Sequence, residues 1–232
     1  MVNSPIQGEG VTLKSGERIR ASIIVSNADP VTTLGLIDPK KVDPAWKRKV
    51  EGIPMIGSSL KVNIAMTELP NFKTRPGISE AHHLAQVDIP LSKDEWRDCL
   101  DKVRRGELPS KIFCELYFQT AGTHLLIASL YSYVNLPSLV DKSVALGTGL
   151  HHISVFAQSV PFRFADDPME DGTWSATQRK AVERMVLNSL ASHISNIPSA
   201  VVAVEVFGPP DIQKDIGLHG GHIFQGEVFI QV

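Results

Sequence analysis

Ser58-Ser59-Leu60-Lys61-Val62-Asn63-Ile64-Ala65-Met66-Thr67-Glu68 decides the fold. Its large apolar residues, Leu60, Val62, Ile64 and Met66, occupy every second position. Strand side chains alternate between faces with a period of two, so this spacing predicts a half-buried strand whose even-numbered residues face the core. Further along, Ile112, Cys114, Leu116 and Phe118 repeat the pattern. His152 to Gln158 and Val201 to Phe207 read as strands, and His82 to Ile89 is another strand candidate.

Helical segments separate these strands. Ser92 with Glu95 three residues later is a capping-box pattern, followed by Trp96, Leu100 and Val103 on one side and a closing Gly106. Trp174 and Ser175 start a long helix to about His193, with Val182, Met185, Val186, Leu190 and Ile194 on one face. Val31 to Ile37 and Pro44 to Val50 are short helices, with Asp43 as a cap for the second. The expected fold is therefore mixed α/β: helices packed on a sheet.

The two ends of the chain add turn chemistry. Gly10 to Lys14 and Glu17 to Ala21 flank Ser15-Gly16, a hairpin pattern. Ser22-Ile23-Ile24-Val25-Ser26 is a continuous β-branched run, which predicts a strand buried on both faces and ending in the turn Asn27-Ala28-Asp29-Pro30. At the far end, Pro210 or Asp211 opens a short helix and Gly217 ends it. Gly220-Gly221 then allows a tight turn or a close approach of backbone to a ligand. Val228-Phe229-Ile230 is strand-like, and the chain stops inside that apolar run at Val232. This predicts a piece of a longer protein.

The segments Gly10 to Pro30, His151 to Pro161 and Pro209 to Glu227, in this order, resemble those of the phytoene dehydrogenase-like FAD-dependent oxidoreductases. So does the strand around Val62 with its Leu69-Pro70-Asn71-Phe72 ending. Relatives in that family run almost directly from the strand ending at Phe118 into a turn, which here survives around Asp141 to His151. This chain carries extra apolar material between, at about Ala121 to Leu139. The resemblance implies an FAD-binding-fold remnant at residues 1–30, a mixed-sheet substrate-binding domain at 31–208, and a return segment toward the FAD domain at 209–232. It implies an apolar small-molecule substrate, peripheral membrane contact, and FAD held by the full-length parent and not by this chain alone. It places Ser26, Asn27, Ala28, Gly220, Gly221 and His222 near the cofactor. The residues alone also allow simpler readings, a turn with a helix cap for the first three and a tight turn for the glycine pair. A non-catalytic binding or scaffold module with the same fold is the rival. The implied compartment is the cytoplasm in a bacterium and the mitochondrial matrix in an animal.

Composition narrows the remaining classes. The 232 residues are 43% hydrophobic and 21% charged, ordinary for a globular protein, and the net charge of −2 gives no basic footprint for nucleic acid. No apolar run reaches the roughly 18 residues of a membrane span. Met1-Val2-Asn3-Ser4-Pro5 lacks the basic and apolar regions of a signal peptide. Gly8-Glu9-Gly10 lacks the third glycine and the following helix of a dinucleotide fingerprint. Cys99 and Cys114 have neither zinc nor redox spacing and read as buried thiols. The pairs His82-His83 and His151-His152, placed on strands, would point to opposite faces and share no metal. There is no nucleophile elbow, so Ser154 reads as a structural hydroxyl. Glu205, inside an apolar strand, is either a buried base or a residue facing water, and an antiparallel sheet favours water.

Overall fold

A computed structural model describes residues 8–77, 81–118, 148–166, 169 and 172–227. The strip 121–139, the turn remnant before Thr148 and the strand expected at Val228 to Ile230 lie outside them.

Alternation in Ser59–Met66 (β3) becomes the centre of a five-stranded sheet, ordered β4-β5-β6-β3-β7. The other strands are β4 (Val87–Ile89), β5 (Phe113–Phe118), β6 (His151–Gln158) and β7 (Val201–Phe207), and every pairing is antiparallel. In register, Leu116, Val155, Val62 and Val206 form one inward row, and Phe118, Ile153, Ile64 and Val204 the next. Leu60, Val62, Ile64 and Met66 are all buried, as their spacing predicts. Each such side chain removed from water stabilises the fold by about 1.5–3 kcal/mol.

One helix covers that inward face. Ala176–Ala191 (α4) starts at Ser175, whose hydroxyl accepts from the Gln178 amide while the Gln178 side chain accepts from the Ser175 amide. Its stripe of Val182, Met185, Val186, Leu190 and the following Ile194 packs into the same core as the sheet. The Ser189 hydroxyl accepts from the Ile112 amide and donates to Met185 C=O, tying helix to sheet. Lys73 Nζ donates to the C=O groups of Ala191 and Ser192, where the helix end leaves acceptors over.

Lys93–Arg104 (α3) carries the expected capping box of Ser92 and Glu95. Its buried residue is Cys99, however, and Leu100 is 46% exposed, so the apolar side is turned from the expected one. Trp96 lies over Phe113 with ring centres 5.6 Å apart, and this contact fixes the helix rotation. The segment expected as a strand from His82 begins instead as a 3₁₀ turn, Ala81–Leu84, before β4. The His82 and His83 rings therefore lie against each other, tilted, with centroids 4.2 Å apart, and do not point to opposite faces. His83 is buried, with Nε2 2.8 Å from Pro70 C=O.

A second sheet joins Gly10–Thr12 (β1) to Arg18–Arg20 (β2), the hairpin read from the sequence. The run Ser22 to Ser26 that follows is not a strand. Ile23 and Val25 are 79% and 87% exposed, and no strand among the described residues lies beside the run. β-branched residues favour a strand only where a ladder and apolar neighbours receive them. The chain then enters Pro30–Leu36 (α1) and Pro44–Glu51 (α2), capped by Asp29 and Asp43.

Candidate functional site

Two features carry the site residues: a glycine corner and the uncovered face of the large sheet. The corner begins at Pro209–Asp211 (α5), continues through a π-helical turn at Ile212–Ile216 and ends at Gly217 in the left-handed conformation. The Asp211 carboxylate, 9% exposed, accepts from both terminal nitrogens of Arg179 on α4, at 2.7 and 2.5 Å, and from the Gly208 amide. The same guanidinium donates to Val206 C=O. This planar fork ties the corner to the first turns of α4.

Gly220 and Gly221 both have positive φ, 64° and 62°. A Cβ on Gly220 would stand 1.7 Å from Met55 O, and one on Gly221 2.0 Å from Pro209 O. Gly57 meets the same corner, with its amide donating to Gly220 C=O at 2.8 Å. The space left by the missing side chains is thus filled by the chain's own backbone. His222 Nδ1 accepts from the Phe224 and Gly226 amides, so its ring closes the next turn.

Ser26, Asn27 and Ala28 are exposed at the start of α1, and Thr33 Oγ1 lies 2.7 Å from Ser26 Oγ and 3.2 Å from Ala28 O. Burial alone would push the neighbouring Asp29 carboxyl up. Hydrogen bonds from the Thr32 hydroxyl and from the Thr32 and Val31 amides outweigh that, and His219 adds its charge, so the net direction is down.

Across the sheet, the face turned away from α4 is half-exposed. Tyr117, Ser154, Asn63 and Glu205 form one row by register, flanked by Glu115, Phe156, Lys61 and Phe207 on one side. His152, Ala65 and Ala203 lie on the other. Asn63 Nδ2 donates to Glu205 Oε2 at 2.8 Å, and Glu205 is exposed, so it faces water and is not a buried base. Burial pushes His152 below its ordinary value, Lys61 pushes the same way, and Glu205 opposes both. Sequence reasoning had no means of assembling this row: Asn63 and Glu205 lie far apart in the chain, and only the pairing register joins them. The odd positions of β3 were nevertheless legible as its outward set.

Several chemistries are disfavoured among the described residues. Burial pushes the Cys99 thiol up to about 11 and the Cys114 thiol up to about 12, so neither is a ready nucleophile at neutral pH. No group of three or more His, Cys, Asp or Glu could hold a metal. No helix among the described residues is long and apolar enough to cross a membrane. A flavin dinucleotide needs backbone amides open to its pyrophosphate. The glycine corner, closed on Met55 and Pro209, gives no such cradle and does not fit the phosphates.

No protein-family model matches the chain. It is 25% identical over 230 residues to the pyridine nucleotide-disulfide oxidoreductase domain-containing protein 2 of Mus musculus, an alignment covering 97% of this chain and 36% of that protein. The protein of the same name from Rattus norvegicus is likewise 25% identical over 230 residues. The chain therefore spans 36% of the length of these curated relatives.

Proposed function

We propose that this chain is the substrate-binding portion of a flavin-dependent oxidoreductase of the phytoene dehydrogenase-like kind, acting as part of a longer polypeptide. The observation that carries this reading is the one-sided sheet. α4 seals one face, while the other presents aromatic and polar side chains half-exposed, as one wall of a substrate cavity would. The distant similarity to relatives named as oxidoreductase domain proteins, over nearly the whole chain, supports it. So do the exposed Ile23, Val25 and Leu36, an apolar surface suited to a further domain.

In this reading residues 31–208 are the substrate-binding unit, and 1–30 and 209–232 belong with a FAD domain supplied elsewhere in the polypeptide. Ser26, Asn27, Ala28, Gly220, Gly221 and His222 lie at the side facing that domain. The flavin, when bound, supplies hydride acceptance. The residues of this chain orient an apolar substrate and exclude water from it. The Arg179–Asp211 pair holds the corner that meets the flavin domain.

The test is the absorbance spectrum of a purified longer polypeptide that contains this chain. A stoichiometric bound flavin, bleached by substrate, is the expected result. A folded, colourless polypeptide that takes up no added FAD overturns the reading.

A further inference from the structure

The uncovered face of the sheet contains one polar atom in an unusual state. Asn63 Oδ1 is buried and accepts no hydrogen bond. Such an acceptor destabilises a fold and calls for an explanation. Exchanging the amide's oxygen and nitrogen does not remove the problem. Nδ2 donates to the Glu205 carboxylate, and the exchange would set oxygen against oxygen there. Among the described residues no donor reaches Oδ1, the in-register Ser154 hydroxyl on β6 included. The amide is held through Nδ2, and the residue as a whole is half-exposed on this face.

The surroundings set the class of molecule that would relieve it. Phe156 and Phe207 lie one row away, on either side of Lys61, and Ala65 and Ala203 stand on the other side. Two aromatic rings and two alanines thus border the amide, alternating with the polar groups of Lys61, Glu115 and His152. Glu205 gives the patch an anionic member, and burial together with Lys61 favours a neutral His152 ring at neutral pH.

We infer that Asn63 is a specificity-determining residue: through Oδ1 it accepts a hydrogen bond from a hydroxyl or amine on an otherwise apolar molecule bound against the uncovered face of the sheet. This rests on reading that face as a substrate wall, and it narrows the substrate from a pure hydrocarbon to one that carries a donor. Pairing a buried acceptor gives discrimination against an analogue that lacks the donor.

Calorimetry on the full-length polypeptide tests it, with toluene, benzyl alcohol and aniline, all neutral at about pH 7, as matched probes and with the flavin-to-protein ratio recorded beside them. The two donor-bearing probes are expected to bind about tenfold more tightly than toluene, the scale of one hydrogen bond. Asn63→Leu is expected to bring all three within about twofold of one another, with toluene affinity no lower than in the wild type and flavin content unchanged. Asn63→Ser serves if the leucine variant does not fold. Equal binding of the three probes by the wild type, binding of none, or an unaltered ratio in the variant overturns the inference. The proposed oxidoreductase role fails separately: a folded protein without flavin refutes that role whatever the probes do, and a flavoprotein blind to the donor refutes only the role of Asn63.

Discussion

Two stretches of this chain read as strands from sequence, and they end in opposite environments. Leu60 to Met66 sits at the centre of a sheet with its even-numbered residues buried, while Ile23 and Val25 stand 79% and 87% exposed. The difference lies in what each pattern specifies. Alternation names a wet face and a dry face, and a slip of one residue would reverse them, so the strand carries its own orientation. A continuous β-branched run asks for cover on both faces and a ladder on at least one edge. Nothing among the described residues supplies these to Ser22–Ser26.

Truncation in the two stretches should give the widest contrast. Ile64→Ala is expected to lose about 2–5 kcal/mol of stability in urea unfolding, and Val25→Ala less than about 0.5 kcal/mol. A loss above about 1.5 kcal/mol for Val25→Ala in this chain would show that the run is covered after all and would end the comparison. In a longer polypeptide whose added domain covers the run, the same substitution should become costly, which would sharpen it.

Next in size is the clasp between α4 and the glycine corner. Arg179→Met leaves a nearly buried carboxylate without its partner and should cost about 3 kcal/mol, read as a lower urea midpoint at unchanged slope. A neutral result would mean that Asp211 is held by the Gly208 amide alone.

Within the corner, Gly221→Val should lower stability by about 2–3 kcal/mol, since its Cβ meets Pro209 backbone at positive φ. Gly217→Ala, with φ of 85° but open space around it, should cost only about 1 kcal/mol. Equal melting temperatures for the two variants would show that the backbone crossing gives way easily.

The smallest effect belongs to the surface. The Lys111 ammonium 2.6 Å away, with the Ser92 amide and hydroxyl, holds the Glu95 carboxyl down at about 2. A lowered carboxyl stabilises above its unfolded value and loses that contribution as pH falls from about 4.5 toward 2. Because the pair is exposed to solvent, wild type and Glu95→Gln should differ only slightly in melting temperature at pH 7, with the difference gone at pH 2 and at high salt. A difference that persists in 1 M salt would contradict this picture.

What was legible follows the range of the interactions involved. The capping box at Ser92, the helix start at Ser175, the Asp29 and Asp43 caps and the strand faces are settled within a few residues, and the sequence carries them openly. The rotation of α3 depends on Trp96 finding Phe113, and the 3₁₀ turn at Ala81–Leu84 accompanies His83 reaching Pro70, so propensity alone misjudged both. Of the candidate site, the glycine pair was visible as a turn, but its reason, the backbone of Met55 and Pro209, was not. The Asn63–Glu205 contact exists only through the pairing of β3 with β7.

The strand order also has a consequence in time. β3 is made before both of its partners, β6 and β7, so neither edge can be paired until synthesis has passed Gln158 and then Phe207. Until then Leu60, Val62, Ile64 and Met66 form an apolar stripe on an unpaired strand, the kind of surface on which nascent chains aggregate. Folding must wait for these distant segments, which makes it slow for the chain's size. Ribosome-bound chains arrested before β6 should be those that chaperones hold longest.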